Sequence, residues 1–226
     1  SDVGTPPTEI TVLVAYTPKV ESLQANVQSL INSAVNLANM SYENSKINLR
    51  LKLVSTMKVD FTEPETHDEA LNKFRGKDDG VMDEIHKERD NKKADLCVLL
   101  IDNDQFCGLA AAILATKDTA FAVVHHDCAV NNLSFAHEIG HLMGARHNLE
   151  VDPTIDTLFP FNHGYLSPGV PNWRTIMAYP APGKPVRVPY WSNPDVSIDS
   201  VATGVKDKQD NAKVLNATAK TLAGFR

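Results

Sequence analysis

The chain has 226 residues, of which 42% are hydrophobic and 22% charged, and its formal net charge is −6 at pH 7. This composition is sufficient to bury a substantial core in one domain or in two lobes of one functional unit. The acidic balance and the lack of a long basic run disfavour nucleic acid and anionic membranes as partners. No apolar run approaches the roughly 20 residues that span a bilayer.

The chain begins with a polar segment, residues 1–8, that contains two prolines and no initiator methionine. This segment has the pattern of neither a signal peptide nor a transit peptide. We therefore interpret the chain as a mature or trimmed form, and we expect a signal sequence, with or without a pro-segment, to have been removed.

In the first half of the chain, residues 9–16 alternate β-branched and apolar side chains and predict a strand. Apolar residues then recur at helical spacing over 19–44, which predicts a long amphipathic helix. Alternation over 47–60 predicts a second strand. The charged stretch 70–91 predicts a helix that is broken near 76–80.

In the second half, the apolar run 94–101 predicts a buried strand. Further elements are predicted as strands over 109–114 and 120–125 and as helices over 131–145 and 209–222. Between the last two helices the chain is rich in proline, glycine and aromatic residues, so we expect it to be largely irregular.

The order of these elements indicates the α/β or α+β class, with a mixed sheet and helices. The change of composition near residue 145 divides the chain into an upper, sheet-containing lobe (1–145) and a lower lobe with the last helix (146–226). We predict one domain over 1–226, with a substrate site in the cleft between its lobes.

The chain has three cysteines, an odd number that leaves at least one unpaired. Cys97 lies in the predicted buried strand, where a thiol packs as a small apolar group. Cys107 and Cys128 lie in turn-like segments on either side of a predicted strand pair. A disulfide between them is the preferred interpretation and implies an oxidising compartment, and two reduced thiols are the alternative.

The stretch 137–147, His-Glu-Ile-Gly-His-Leu-Met-Gly-Ala-Arg-His, carries the chemistry. Positions four apart share one face of a helix, so His137 and His141 can hold one metal ion, while Glu138 can act as general base on a water. Gly144 can end the helix in a left-handed conformation and swing His147 round as third ligand. Three histidines with an open position predict one catalytic Zn²⁺, and a helix with incidental histidines is the alternative.

This stretch resembles the extended zinc-binding signature of the metzincin metallopeptidases. Met177, within residues 174–179, matches the methionine turn of that family. Other segments resemble a secreted bacterial reprolysin-like branch that includes the peptidyl-Asp metalloendopeptidases: 12–17, 127–129, 134–136, 163–165, 190–194 and 210–212. The resemblance covers most of the chain and implies a metzincin-type catalytic domain with a twisted, mixed five-stranded sheet.

The resemblance also implies roles for single residues. It implies hydrolysis of peptide bonds in protein or peptide substrates, with Glu138 as the general base. Met177 is expected to form a hydrophobic floor under the ligands. Tyr179 is expected to stabilise the tetrahedral intermediate, and the alternative is that it packs the turn.

In the family, the chain after the methionine turn walls the pocket for the residue that follows the scissile bond. Lys184 and Arg187 lie in that part of this chain. A cation there would favour an acidic substrate side chain. Solvated surface charge is the alternative.

His125 and His126 follow an apolar strand, so one of them faces away from the core. A second metal is conceivable there, but histidines on an edge strand that lines the cleft are the preferred interpretation. For the whole chain we expect a secreted, monomeric zinc endopeptidase. The alternatives are a non-proteolytic zinc-containing binding or toxin-like module, and a protease restricted to one host or self protein.

Overall fold

The fold is taken from a computed structural model that describes residues 4–226. The elements follow one another as β1 (Thr8–Tyr16), α1 (Pro18–Leu23), α2 (Val27–Asn44), β2 (Leu49–Lys58), α3 (His67–Arg75), α4 (Glu84–Lys92), β3 (Leu96–Ile101), β4 (Gly108–Ala110), β5 (Phe121–His125), α5 (Cys128–Asn131), α6 (Ser134–Leu142), β6 (Trp173–Arg174), β7 (Val186–Arg187), β8 (Ser197–Ile198), β9 (Val201–Ala202) and α7 (Asn211–Leu222).

Five strands form one mixed sheet in the order β2-β1-β3-β5-β4. All neighbours in it are parallel except β4, which pairs antiparallel with β5 at the edge. The predicted class and the mixed five-stranded sheet are therefore confirmed. The strand predicted to end at residue 125 is β5, which is internal, so the expectation that it is the edge strand is wrong. β5 pairs with β3 on one side and with β4 on the other, which leaves β4 at the edge.

Helices cover both faces of the sheet, which explains why its central strand reads as a continuous apolar run. Val98 and Leu100 of β3 face a core shared with α2, α6 and α7. Cys97 and Leu99 face the other core, under α3 and α4. Cys97 is a buried free thiol, as its position in the sequence predicted.

The long helix predicted over 19–44 is two helices, because Asn26 begins a new one. Its side chain accepts a hydrogen bond from the Ser29 N–H at 2.9 Å, which is the usual role of asparagine at a helix N-cap. The helix predicted over 70–91 is also two helices, α3 and α4. The chain between them includes the predicted break at 76–80. α3 begins earlier than predicted because Thr66 caps it.

The chain between α6 and α7 is largely irregular, as predicted, with only two-residue strands. It is held to the upper part of the molecule by Trp191, whose ring is fully buried. The indole N–H donates to the Ser41 hydroxyl at 2.9 Å, and the ring stacks on Tyr42. Among residues 4–226, no helix has both the length and the apolar character needed to cross a bilayer.

Candidate active site

α6 carries the first half of the site. His137, Glu138 and His141 are buried on it, with exposed fractions of 4%, 5% and 9%. The helix begins after Leu133, which lies in the left-handed region with φ of 55°, and it is shorter than the predicted 131–145. Its amphipathic pattern packs Phe135 and Ile139 into the core below the sheet, which leaves the polar side chains facing the cleft.

Gly144 turns the chain at the end of α6. Its φ is +102°, a region that strains residues with a Cβ. The Ala145 N–H donates to the Gly140 carbonyl at 2.9 Å, and the Gly144 N–H donates to the His141 carbonyl at 2.9 Å. This pair of bonds is the Schellman motif, and it reverses the chain so that His147 points back at α6.

The three imidazoles converge through their Nε2 atoms. His141 Nε2 lies 3.0 Å from His147 Nε2, which lies 3.3 Å from His137 Nε2. His137 Nδ1 donates to the Ile176 carbonyl at 2.8 Å, and His141 Nδ1 donates to the Ala145 carbonyl at 2.8 Å. These bonds place the proton on Nδ1 and leave the Nε2 lone pairs free for a common ligand.

Burial keeps these imidazoles neutral. It lowers the pKa of His141 to about 4 and that of His147 to about 3, and it lowers the pKa of His137 well below its ordinary value. Neutral imidazole is the form that binds a metal ion. The arrangement is therefore a candidate metal centre.

Glu138 faces the edge strand β4 across a very short gap. A Cβ placed on Gly108 would lie 2.7 Å from the Glu138 Cγ and 2.8 Å from its Oε1, so only glycine leaves room for the carboxyl group. Burial raises the pKa of Glu138 to about 8, against the opposing charge of Arg187. Without a metal ion this carboxyl group is therefore largely protonated at neutral pH, and a cation held by the three histidines would lower its pKa and leave a carboxylate that can accept a proton. Gly108 is not among the residues predicted from the sequence.

The methionine turn lies under α6. Met177 is fully buried, and a Cβ on Gly140 would come within 2.8 Å of its Sδ, so the thioether packs directly against the helix. Tyr179 is 41% exposed and lies over the histidines, with its ring 3.9 Å from that of His147. Met177 thus lies directly beneath α6, and Tyr179 lies over the three histidines at the surface.

Asn148 connects this turn to the histidine loop. It is 1% exposed, and its side-chain oxygen accepts a hydrogen bond from the Tyr179 N–H at 2.9 Å. The bond fixes the backbone of Tyr179 relative to His147. Asn148 is not among the residues predicted from the sequence, although its position directly after the last histidine is a signal that could have identified it.

Two arginines lie beside Glu138 in a cavity of about 280 Å³. Arg187 donates to the Asn132 carbonyl at 2.9 Å, and Arg174 donates to the Pro185 carbonyl at 3.2 Å. The arginine ion pairs among residues 4–226 belong to Arg146 and Arg226, so the two cavity guanidinium groups lack a carboxylate partner. Burial lowers the pKa of both.

Two polar atoms in this cavity have no hydrogen-bond partner. They are Nε of Arg187 and Oγ of Ser134, and both are buried. Lys184 lies elsewhere, exposed on a turn with φ of 51°, and it does not line the cavity. The structure therefore brings Arg187 to the candidate site together with Arg174, which the sequence analysis missed, and leaves Lys184 outside.

Cys107 and Cys128 form a disulfide, as predicted, with their Cα atoms 5.5 Å apart. The bond joins the segment before β4 to the start of α5. Cys107 also lines the arginine cavity, so the disulfide supports one wall of the site.

Comparisons with known proteins agree with this geometry. The model of Metallo-peptidase family M12 matches residues 7–192. Over 225 residues the chain is 43% identical to a peptidyl-Asp metalloendopeptidase of Stenotrophomonas maltophilia, covering 99% of this chain and 54% of that one. It is 32% identical over 189 residues to a peptidyl-Asp metalloendopeptidase of Pseudomonas fragi, covering 84% of this chain and 99% of that one.

A solved structure described as a chaperone-substrate complex is similar in fold, with a TM-score of 0.78, 22% identity, and coverage of 98% of this chain and 35% of that one. The chain spans about half the length of the Stenotrophomonas relative.

Proposed function

The chain belongs to Metallo-peptidase family M12, and on that premise we propose that it is a zinc-dependent endopeptidase that cleaves proteins before acidic residues. The family implies a metal. The observation that carries the proposal is the convergence of three Nε2 atoms beside a buried glutamate. The two relatives are named for cleavage at aspartate, which supports the acidic preference.

The donor set fits zinc. Ligands at 2.0–2.1 Å in a tetrahedron lie roughly 3.3 Å apart, close to the 3.0 and 3.3 Å between the Nε2 atoms of His147 and its two neighbours. We propose His137, His141 and His147 as the ligands of one catalytic ion. Bound there, zinc would polarise the scissile carbonyl and acidify a water molecule.

Glu138 is the proposed general base. Its carboxyl group faces the cleft between the histidines and β4, within reach of a water that attacks a peptide carbonyl. It takes the proton from this water and delivers it to the leaving amine. Tyr179 donates its hydroxyl proton in a hydrogen bond to the oxyanion that forms at the same carbonyl.

β4 is the proposed binding edge for the substrate backbone. It pairs with β5 on one side only, and its residues line the cavities on both sides of Glu138. An extended peptide can add to such an edge as a further strand. This arrangement would place the residues before and after the scissile bond in the two cavities.

The arginine cavity is the proposed pocket for the residue after the scissile bond. Nε of Arg187 and the hydroxyl of Ser134 have no partner in the protein and can bind an entering carboxylate, while the two terminal nitrogens of Arg187 donate to the carbonyls of Asn132 and Ala178. Arg174 adds positive charge but is tied by its own hydrogen bonds to backbone carbonyls. Charge-assisted hydrogen bonds in a buried pocket favour an acidic side chain.

We further propose that residues 1–226 act as one catalytic domain, and that the protein is secreted and monomeric. The disulfide supports an oxidising compartment. The substrate is a protein or peptide.

The proposal is tested with a set of fluorogenic peptides that differ only in the residue after the scissile bond. The purified protein, loaded with one equivalent of Zn²⁺, should cleave the Asp peptide, and a chelator should abolish cleavage until Zn²⁺ is restored. No cleavage of any peptide or of casein by the zinc-loaded, folded protein would contradict the proposal and favour the non-proteolytic module.

A further inference from the structure

A second group of metal-ligand atoms lies at the carboxyl ends of β3 and β5. Asp102 directly follows β3, His125 ends β5, and His126 comes next. The two strands are parallel, with Ile101 opposite His125, so their ends bring the three side chains together. His126 Nε2 lies 2.9 Å from Asp102 Oδ1, His125 Nδ1 lies 3.9 Å from the same oxygen, and all three ligand atoms lie within 4.8 Å of one another.

His125 gives independent evidence for a ligand. The residue is 8% exposed, and its Nδ1 has no hydrogen-bond partner although it points toward Asp102. An unpaired buried nitrogen costs free energy, so such atoms are rare unless something absent from the polypeptide satisfies them. A cation between Nδ1 of His125 and Oδ1 of Asp102 would remove that cost.

We propose that Asp102, His125 and His126 bind a second divalent cation, Zn²⁺ or a neighbouring first-row transition metal ion, at a site separate from the three-histidine centre. Two imidazoles and one carboxylate are a donor set that zinc and its neighbours in the first transition row accept. From the sequence alone, a metal at His125 and His126 was the less favoured interpretation. The contribution of Asp102, which is 23 residues away in the chain, is what the structure adds.

The surroundings of His126 are those of a metal ligand. Its Nδ1 lies 2.6 Å from Nε2 of the Gln24 side-chain amide and 3.5 Å from Oδ1 of Asp127. The amide oxygen and nitrogen can exchange places by a half-turn of the amide group. With the oxygen facing the ring, the Nδ1–H group donates a hydrogen bond to that oxygen, and the Nε2 lone pair is available to bind the ion. An acceptor behind the ring orients the imidazole and raises its basicity.

The ion would be reached from solvent through an acidic cavity of about 630 Å³, whose lining includes Glu63, Asp104 and Asp127. Lys19 is the opposing feature, because its Nζ lies 3.0 Å from Asp102 Oδ2. The lysine engages the oxygen that faces away from the imidazoles, and its side chain is 58% exposed. Lys19 thus acts as a movable competitor of the cation.

Binding would stabilise the wall of the active site. The His125 N–H donates to the Cys107 carbonyl at 2.9 Å, and the segment from Asp102 to Cys107 leads into β4. This segment carries Phe106, which lines the arginine cavity. An ion bound by Asp102, His125 and His126 would hold the start of this segment against the end of β5. The proposed role of the site is therefore structural.

The test counts metal ions. The chelator-stripped protein is dialysed against excess Zn²⁺, then against metal-free buffer, and the zinc per chain is measured. The wild type should retain two ions, Asp102→Asn and His125→Gln should each retain one, and His141→Gln should also retain one, lost from the other centre. One ion in the wild type, with the same count in Asp102→Asn and none in His141→Gln, would overturn the second site and leave the proposed function standing.

Lys19→Gln provides a variant with little risk to folding, because the residue is exposed. Removing this competing charge should tighten the second Zn²⁺ dissociation constant roughly three- to tenfold and leave the first unchanged. Circular dichroism identifies any variant that fails to fold, in which case the Lys19→Gln titration decides. An unchanged second dissociation constant in that variant would contradict the proposed coordination by Asp102.

Discussion

The Tyr179 ring packs against the His147 imidazole, with 3.9 Å between the ring centroids and 33° between the planes. The Tyr179 ring lies farther from His137, with its centroid 6.2 Å away. Burial and the nearby carboxyl group of Glu138 raise the pKa of Tyr179, so its hydroxyl remains protonated at neutral pH. The contact therefore places a hydrogen-bond donor at the rim of the three-histidine centre.

The first prediction concerns this hydroxyl. Tyr179→Phe keeps the ring that packs on His147 and removes only the donor, so we expect kcat to fall roughly 100-fold with KM little changed. The measurement is steady-state cleavage of the Asp peptide at neutral pH. If Tyr179 only packs the turn, kcat stays at the wild-type value.

The second prediction separates metal binding from proton transfer. Glu138→Gln preserves the shape of the side chain beside Gly108 but cannot accept a proton. We expect zinc affinity at the three-histidine centre and thermal stability to persist, while kcat/KM falls about 100- to 10,000-fold. Zinc titration and peptide cleavage are measured on the same sample. Activity within a few-fold of wild type would exclude Glu138 as the general base.

The third prediction concerns specificity. Arg187→Gln removes the charge that faces the cavity, so kcat/KM for the Asp peptide should fall roughly 10- to 100-fold, while the matched Asn peptide should change little. Lys184→Gln is the control, because it removes a charge from the same segment but from its exposed turn. Equal losses on both peptides in Arg187→Gln would point to a folding defect and argue against a carboxylate pocket.

The fourth prediction concerns the stability of the metal-free protein with pH. Between pH 6.5 and about 4 the unfolded chain binds protons at His141 and His147 that the folded chain does not, because burial lowers their pKa values to about 4 and 3. The free energy of unfolding therefore falls as the pH falls through this range. The folded chain holds a proton on Glu138 up to about pH 8, whereas the unfolded chain loses it near pH 4.5, so stability also falls as the pH rises toward 8.

These opposing contributions place the maximum from this site just above pH 6.5, because the three histidines, His137 included, together outweigh one glutamate below that value. Urea unfolding of the metal-free protein across pH 4.5–8.5 measures it. Glu138→Gln should lose the decline above pH 6.5 and keep the decline below it. A variant curve that runs parallel to the wild-type curve above pH 6.5 would show that Glu138 does not titrate as described.

The fifth prediction concerns Gly140. Alanine in place of glycine usually stabilises the interior of a helix by up to about 1 kcal/mol. Here a Cβ would lie 2.6 Å from the buried Trp191 ring and 2.8 Å from Met177 Sδ. We expect the overlap to reverse the sign, so that Gly140→Ala lowers the free energy of unfolding by roughly 1–3 kcal/mol.

Denaturant unfolding measures the effect of Gly140→Ala. Gly224→Ala is the control, because a Cβ there meets only ordinary contacts, at 3.5 Å and beyond. A more stable Gly140→Ala protein would show that the indole and the thioether move aside without cost.

Much of the candidate metal centre was predictable from the sequence, because its parts lie within eleven residues. Helical periodicity places His137 and His141 on one face, and the special backbone conformation of glycine makes Gly144 the turn toward His147. The five strands were equally accessible, since a buried sheet imposes apolar runs and alternation on its strands. Helical periodicity, strand alternation and turn conformation relate residues that are close in the sequence, and these features depend only on such residues.

Features that join distant segments required the tertiary structure. Gly108 makes room for Glu138 from another element, Arg174 joins Arg187 in one cavity, and Asp102 meets His126 across two strands. Lys184 and Arg187 illustrate the reason most directly: they are three residues apart and carry the same charge, yet one lies exposed on a turn and the other lines the cavity. The sequence by itself determined the three histidines and the turn that form the first candidate metal centre. Long-range packing alone decided which charges face the cavity beside Glu138, because it depends on contacts that no local pattern encodes.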